Sequence, residues 1–139
     1  MQPGNEATCV VIKRGEGYHG KQGLDYLAGV SAETTGSKKL CMHMVTIPPG
    51  GRAKAHLHAQ HESAIYVLSG QAGTWYGPGL REHVWLDAGD FFYIPANTPH
   101  LPYNPSEVDP CVGLVARTDA NEQESVTLLT IEDPGIAQR

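Results

Sequence analysis

Three histidines, His56, His58 and His61, fall within six residues, and a fourth, His100, stands in a proline-rich stretch further along. In an extended strand successive side chains alternate sides, so His56 and His58 share one face with Cα atoms about 6.6 Å apart. Imidazole nitrogens bind transition-metal ions at about 2.0–2.2 Å, and two rings on one strand face can reach one ion. On a helix the same spacing would splay the rings apart, so a strand and a metal site imply each other here. His-x-His is also short enough to arise by accident as a surface pair beside Lys54. The surroundings must decide between the two.

Those surroundings read as strand. Short segments rich in Val, Ile, Tyr, Phe, Trp and Thr suit a pleated sheet: Thr8–Lys13, Leu40–Ile47, Ala64–Leu68, Gly73–Tyr76, Glu82–Leu86, Phe91–Ile94, Val112–Ala116 and Ser125–Leu129. Turn chemistry separates them at Pro48–Gly51, Ser69-Gly70, Gly77–Gly79, Ala88–Asp90 and the proline-rich 95–110 stretch. A helix is hinted at only over Lys21–Glu33, where Leu24, Leu27 and Ala28 fall at i, i+3 and i+4, and Gly23 and Gly29 weaken it. Eight short strands with regular turns predict an all-β sandwich or barrel.

The chain of 139 residues has the size of one domain, and neither a linker-like stretch nor an internal repeat divides it. Fifteen acidic residues against ten basic ones give a net charge of -5, which argues against nucleic acid or an anionic membrane surface as partner. No apolar run approaches the roughly 18 residues of a membrane span, and the N-terminus lacks the pattern of a signal peptide. Cys9, Cys41 and Cys111 are odd in number and set among apolar residues, as expected of buried thiols in a reducing, cytoplasmic compartment.

Two spaced patterns resemble the cupins, a family of small jelly-roll barrels that carries G-x5-H-x-H-x3,4-E-x6-G followed by G-x5-P-x-G-x2-H-x3-N. The first runs from Gly50 through His56, His58 and Glu62 to Gly70; the second from Gly89 through Pro95, Asn97 and His100 to Asn104. Asn97 takes the place of the family's glycine, a mild departure because Asn tolerates a left-handed backbone. The resemblance implies an all-β double-stranded β-helix spanning residues 1–139 as one cupin domain, with residues 1–39 as a strand-and-loop extension.

The first motif departs further. Six residues before Gly70 the chain has Ser63 where the family's glutamate ligand belongs, and Glu62 sits one position early. A one-residue shift in a strand turns a side chain to the opposite face. If Ser63, Ile65 and Val67 face inward, so does His61, and the implied metal set is His56, His58, His61 and His100. A bulge before Ala64 would instead favour Glu62 as the fourth ligand. Loss of the glutamate altogether, leaving three histidines, is the third reading. Such a shell suits Zn, Fe, Ni, Mn or Cu without choosing among them, and leaves coordination positions open for a small oxygen ligand.

Other polar residues carry weaker signals. His43 alternates with Cys41, Val45 and Ile47 and is read as an exposed or hydrogen-bonded strand histidine, with a place beside the metal site as the alternative. Arg117 is read as a solvated strand end that would meet a substrate carboxylate only if it faced inward. His19 and His83 read as surface residues, Tyr66, Tyr93, Trp75 and Trp85 as packing or exterior, and Asp90 and Asn104 as turn formers.

Two function classes follow. One is a metal-dependent enzyme (dioxygenase, isomerase or lyase type) acting on a small organic oxygen ligand, with Glu62 as its general-base candidate if it does not bind metal. The other is a non-catalytic ligand-binding or sensing cupin. A metal-free epimerase-like barrel, with His56 and His58 as acid–base groups, is disfavoured by the excess of histidine. A homodimer is expected, paired through the edge strand Thr8–Lys13.

Overall fold

The computed structural model describes residues 7–139 and contains eleven strands. They are β1 (Gly17–His19), β2 (Asp25–Val30), β3 (Cys41–Ile47), β4 (His56–His58), β5 (Ser63–Ser69), β6 (Gln71–Tyr76), β7 (Glu82–Asp87), β8 (Phe91–Ile94), β9 (His100–Tyr103), β10 (Cys111–Arg117) and β11 (Val126–Leu128). One sheet has the order β1-β2-β3-β10-β5-β8 and the other β11-β4-β9-β6-β7, and every pairing is antiparallel. The core lies between them: Tyr26, Val67 and Cys111 from the first sheet meet Ala72 and Leu86 from the second. No helix among the described residues is long and apolar enough to cross a membrane.

Thr8–Lys13 forms no strand, so the edge of the first sheet is β1 instead. The predicted helix over Lys21–Glu33 gives way to β2, paired on both sides by β1 and β3, and the four-residue helix α1 (Ala32–Thr35) overlaps only its last two residues. Period two wins over period 3.6 because Tyr26 is buried while Leu27 beside it is exposed. Gly29 marks a register shift where a Cβ would lie 2.4 Å from the Met42 carbonyl oxygen, a close approach only glycine permits.

The motif turns hold the strands in place. Gly70 has φ 78°, and a Cβ there would come 2.3 Å from the Pro110 carbonyl oxygen. Asn97 adopts φ 63°, the left-handed backbone expected of it. Its Oδ1 accepts from the Gln60 backbone N–H at 2.9 Å, tying the loop before His100 to the turn after His58.

A second apolar cluster lies on the outer face of the second sheet. Leu129 and Ile131 of the C-terminal segment pack on Ala55, Leu80 and Leu101. Trp75 Nε1 donates to the Gly135 carbonyl at 2.7 Å, the Ala137 N–H donates to Tyr103 Oη, and Arg52 and Arg139 pair with Asp133 and Asp87. Beneath this strap His83 is half-buried between Trp75 and Trp85 and bonded to Tyr103 Oη, so its reading as a surface residue is corrected. Cys41 and Cys111 are buried, whereas Cys9 is exposed.

Candidate metal centre

Strand pairing brings the histidines together. His56 on β4 and His100 on β9 are register partners, and His58, two residues along β4, shares the inward face. Ring centroids lie 4.2 Å apart for His56 and His100, 5.2 Å for His56 and His58, and 5.4 Å for His58 and His100. One nitrogen from each ring lies within 4.8 Å of the others. All three side chains are buried.

Two backbone carbonyls orient the rings. His56 Nδ1 donates to the Lys54 carbonyl at 2.7 Å, and His100 Nδ1 to that of Thr98 at 2.9 Å. A ring whose Nδ1 carries the proton presents the Nε2 lone pair, the form a metal requires. His58 Nδ1 is buried with no hydrogen-bond partner among the described residues.

Burial also keeps these rings neutral. Desolvation, followed by the proximity of His100, holds His56 well below the ordinary histidine range. His58 is lowered strongly by burial and then by the Arg117 charge, and His100 is pushed down to about 4, chiefly by burial. Three deprotonated imidazoles with no acidic group among them make a donor set that fits a borderline transition-metal ion.

His61 and Glu62 lie outside this cluster. Ser63 and Val67 face inward and Glu62 outward, where its carboxylate accepts from Tyr93 Oη at 2.6 Å. The alternation does not carry back to His61, because Gln60 turns the chain with φ 65° before β5 begins. The His61 ring is half-exposed, with Nε2 3.8 Å from Asp119 Oδ2.

The two sheets enclose a cavity of about 70 Å³ lined by His56, His58, His100, Ser63, Arg117 and apolar side chains including Val67 and Leu86. Arg117 is not the solvated strand end expected: it is 4% exposed, and its Nε donates to Ser63 Oγ at 3.1 Å. The signal was present, since Cys111, Val115 and Arg117 alternate along one face of β10. His43 is likewise corrected: it is buried edge-on against Tyr26, neither ring nitrogen has a partner among the described residues, and burial pushes it down to about 3.

The chain belongs to the cupin family: a cupin-domain family model matches residues 43–117, which contain every histidine of the cluster. Quercetin 2,3-dioxygenase of Bacillus subtilis (strain 168) is 30% identical over 94 residues, covering 68% of this chain and 27% of that protein. Auxin-binding protein 4 of Zea mays is 30% identical over 95 residues, covering 64% of this chain and 46% of the relative. The chain thus spans less than half the length of either. The oxalate decarboxylase of Lactobacillus farciminis, solved as a formate complex, superposes with a TM-score of 0.69 at 18% identity, over 83% of this chain and 33% of that one. At that identity the likeness concerns the fold.

Proposed function

We propose that the chain is a metal-dependent cupin enzyme acting on a small organic oxygen ligand, with His56, His58 and His100 as the protein's metal ligands. The observation that carries this reading is the convergence of three neutral imidazoles, two with their tautomer set by a backbone carbonyl, on one buried point. A bound divalent ion (Zn, Fe, Ni, Mn or Cu) would supply Lewis-acid polarisation and a template for oxygen ligands there. The apolar lining excludes bulk water and strengthens every charge interaction inside. The resemblance to a quercetin dioxygenase supports oxygenase chemistry ahead of isomerase or lyase chemistry.

A non-catalytic binding or sensing cupin is the second reading. It is favoured by one feature: no carboxylate lines the cavity among the described residues, so no acidic general base is at hand. Oxygen uptake and small-acid turnover, assayed with each metal reconstituted in turn, separate the two. The metal assignment is tested by elemental analysis of the purified protein and of the His56→Ala/His58→Ala double variant. Loss of bound metal in the variant is expected, and an unchanged metal content would overturn the reading.

The same reading takes residues 1–139 as one cytoplasmic domain that forms a homodimer. Leu27, Met42, Leu68 and Phe91 are exposed on the first sheet, an apolar surface that a second copy would cover. A monomer mass by light scattering at micromolar concentration would refute the dimer.

A further inference from the structure

A buried guanidinium requires compensation. Arg117 carries a fixed positive charge inside the barrel at 4% exposure, and among the described residues it forms no ion pair. Its partners are neutral: Nε donates to Ser63 Oγ at 3.1 Å and Nη1 to the Glu122 carbonyl at 3.3 Å. Two of its five N–H donors are thereby used, and three remain. A desolvated cation held only by a hydroxyl and a carbonyl is costly unless an anion completes its shell.

The acidic groups nearby do not complete it. Asp119 Oδ1 accepts from the Asn121 N–H, and its Oδ2 lies towards His61. Among the described residues Glu122 Oε1 is buried with no hydrogen-bond partner, and only the backbone carbonyl of that residue reaches Arg117. Glu62, the acid closest in sequence to the family's ligand position, faces away and is held by Tyr93. Ser63 stands where a carboxylate would neutralise the arginine from within the chain. The serine lets the charge stay available to the cavity.

We propose that the ligand of this cavity is a small carboxylate, its anionic end held by Arg117 within the same enclosure as His56, His58 and His100. Guanidinium forks match planar carboxylates in two parallel hydrogen bonds, which fixes orientation as well as charge. The cavity, about 70 Å³, has room for a ligand of few non-hydrogen atoms, given about 10–15 Å³ for each water it could hold. The inference deepens the reading above and rests on it for the metal; the arginine's need for an anion stands without the metal.

Calorimetric titration of sodium acetate into zinc-loaded and zinc-free protein, at ionic strength held constant with sodium chloride, tests the proposal. Acetamide, of the same shape without charge, and inorganic phosphate are the controls. Acetate is expected to bind wild-type protein and acetamide not to. Arg117→Met should weaken acetate by about tenfold or more, the scale of lost charge-assisted hydrogen bonds, with the zinc-to-protein ratio unchanged.

The proposal is overturned by acetate that does not bind wild-type protein, by equal affinities for acetate and acetamide, by phosphate binding more tightly than acetate, or by wild-type affinity in Arg117→Met. Where Arg117→Met does not fold, Arg117→Lys replaces it: weakened acetate binding supports the proposal and unchanged affinity overturns it. Arg117-dependent acetate binding in a protein that takes up no zinc would uphold the proposal and defeat the metal reading. Zinc binding with acetate affinity indifferent to Arg117 would do the reverse.

Discussion

Ser63 and Arg117 are register partners on β5 and β10, and their side chains meet inside the barrel through the Nε–Oγ hydrogen bond. The position that supplies a carboxylate ligand in the cupin motif here supports an arginine. The interior charge is thereby changed, from an anion beside the histidines to a cation beside them.

Replacing Ser63 by Glu should reverse that change. The new carboxylate would lie against Arg117 and satisfy its charge within the chain. Acetate binding is expected to disappear in Ser63→Glu while zinc is still bound, as read by calorimetry and elemental analysis. Acetate binding equal to wild type would contradict the pairing.

His61→Ala and Glu62→Gln, made separately, should leave the zinc-to-protein ratio as in wild type. The Glu62 carboxylate is engaged by Tyr93 Oη outside the barrel, and His61 lies beside Asp119 beyond the turn at Gln60. Elemental analysis after dialysis checks both, and loss of zinc in either variant would restore that residue to the ligand set.

The metal-free protein should lose stability as pH falls below about 6.5, the ordinary histidine value. His43, His56, His58 and His100 all have lowered folded-state values, so the folded protein refuses protons that the unfolded chain accepts. The loss therefore begins near the unfolded value and continues down to about 4 for His100 and about 3 for His43. Their contribution is fully present above the unfolded value. Thermal melts in chelator at successive pH values measure it, and a melting temperature flat between pH 7 and about 5 would contradict it.

Asn104→Ala should destabilise the fold by about 2–4 kcal/mol, as three hydrogen bonds are lost and buried carbonyls are left without donors. Asn104 Nδ2 donates to the Ile47 and Asp109 carbonyls, and its Oδ1 accepts from the Ser106 N–H. Denaturant unfolding measures the cost. Zinc binding should persist under native conditions, since Asn104 is not among the clustered ligands.

Much of the architecture was legible because short-range physics carries it. Alternation in β3, β5 and β10 matches the inner and outer faces of the first sheet, and the turn residues punctuate the strands where expected. Asn97 could be read as left-handed from its residue type alone. What could not be read was pairing: Leu24, Leu27 and Ala28 stand at helical spacing, yet the segment forms β2 because β1 and β3 flank it. Strands β1 and β9, three and four residues long, carry no strand signal of their own and are extended because their neighbours supply hydrogen-bond partners.

From residue order alone came the barrel, the family and the strand face that carries His56 and His58, with His100 joined to them through the family motif, since spacing and turn chemistry are local properties. Only the folded molecule decided which side chains share the enclosure. Gln60 breaks the alternation that would have brought His61 inward, and β10 carries Arg117 into the interior opposite Ser63. Both outcomes depend on how separate strands align, a long-range matter of register and burial that no single segment encodes.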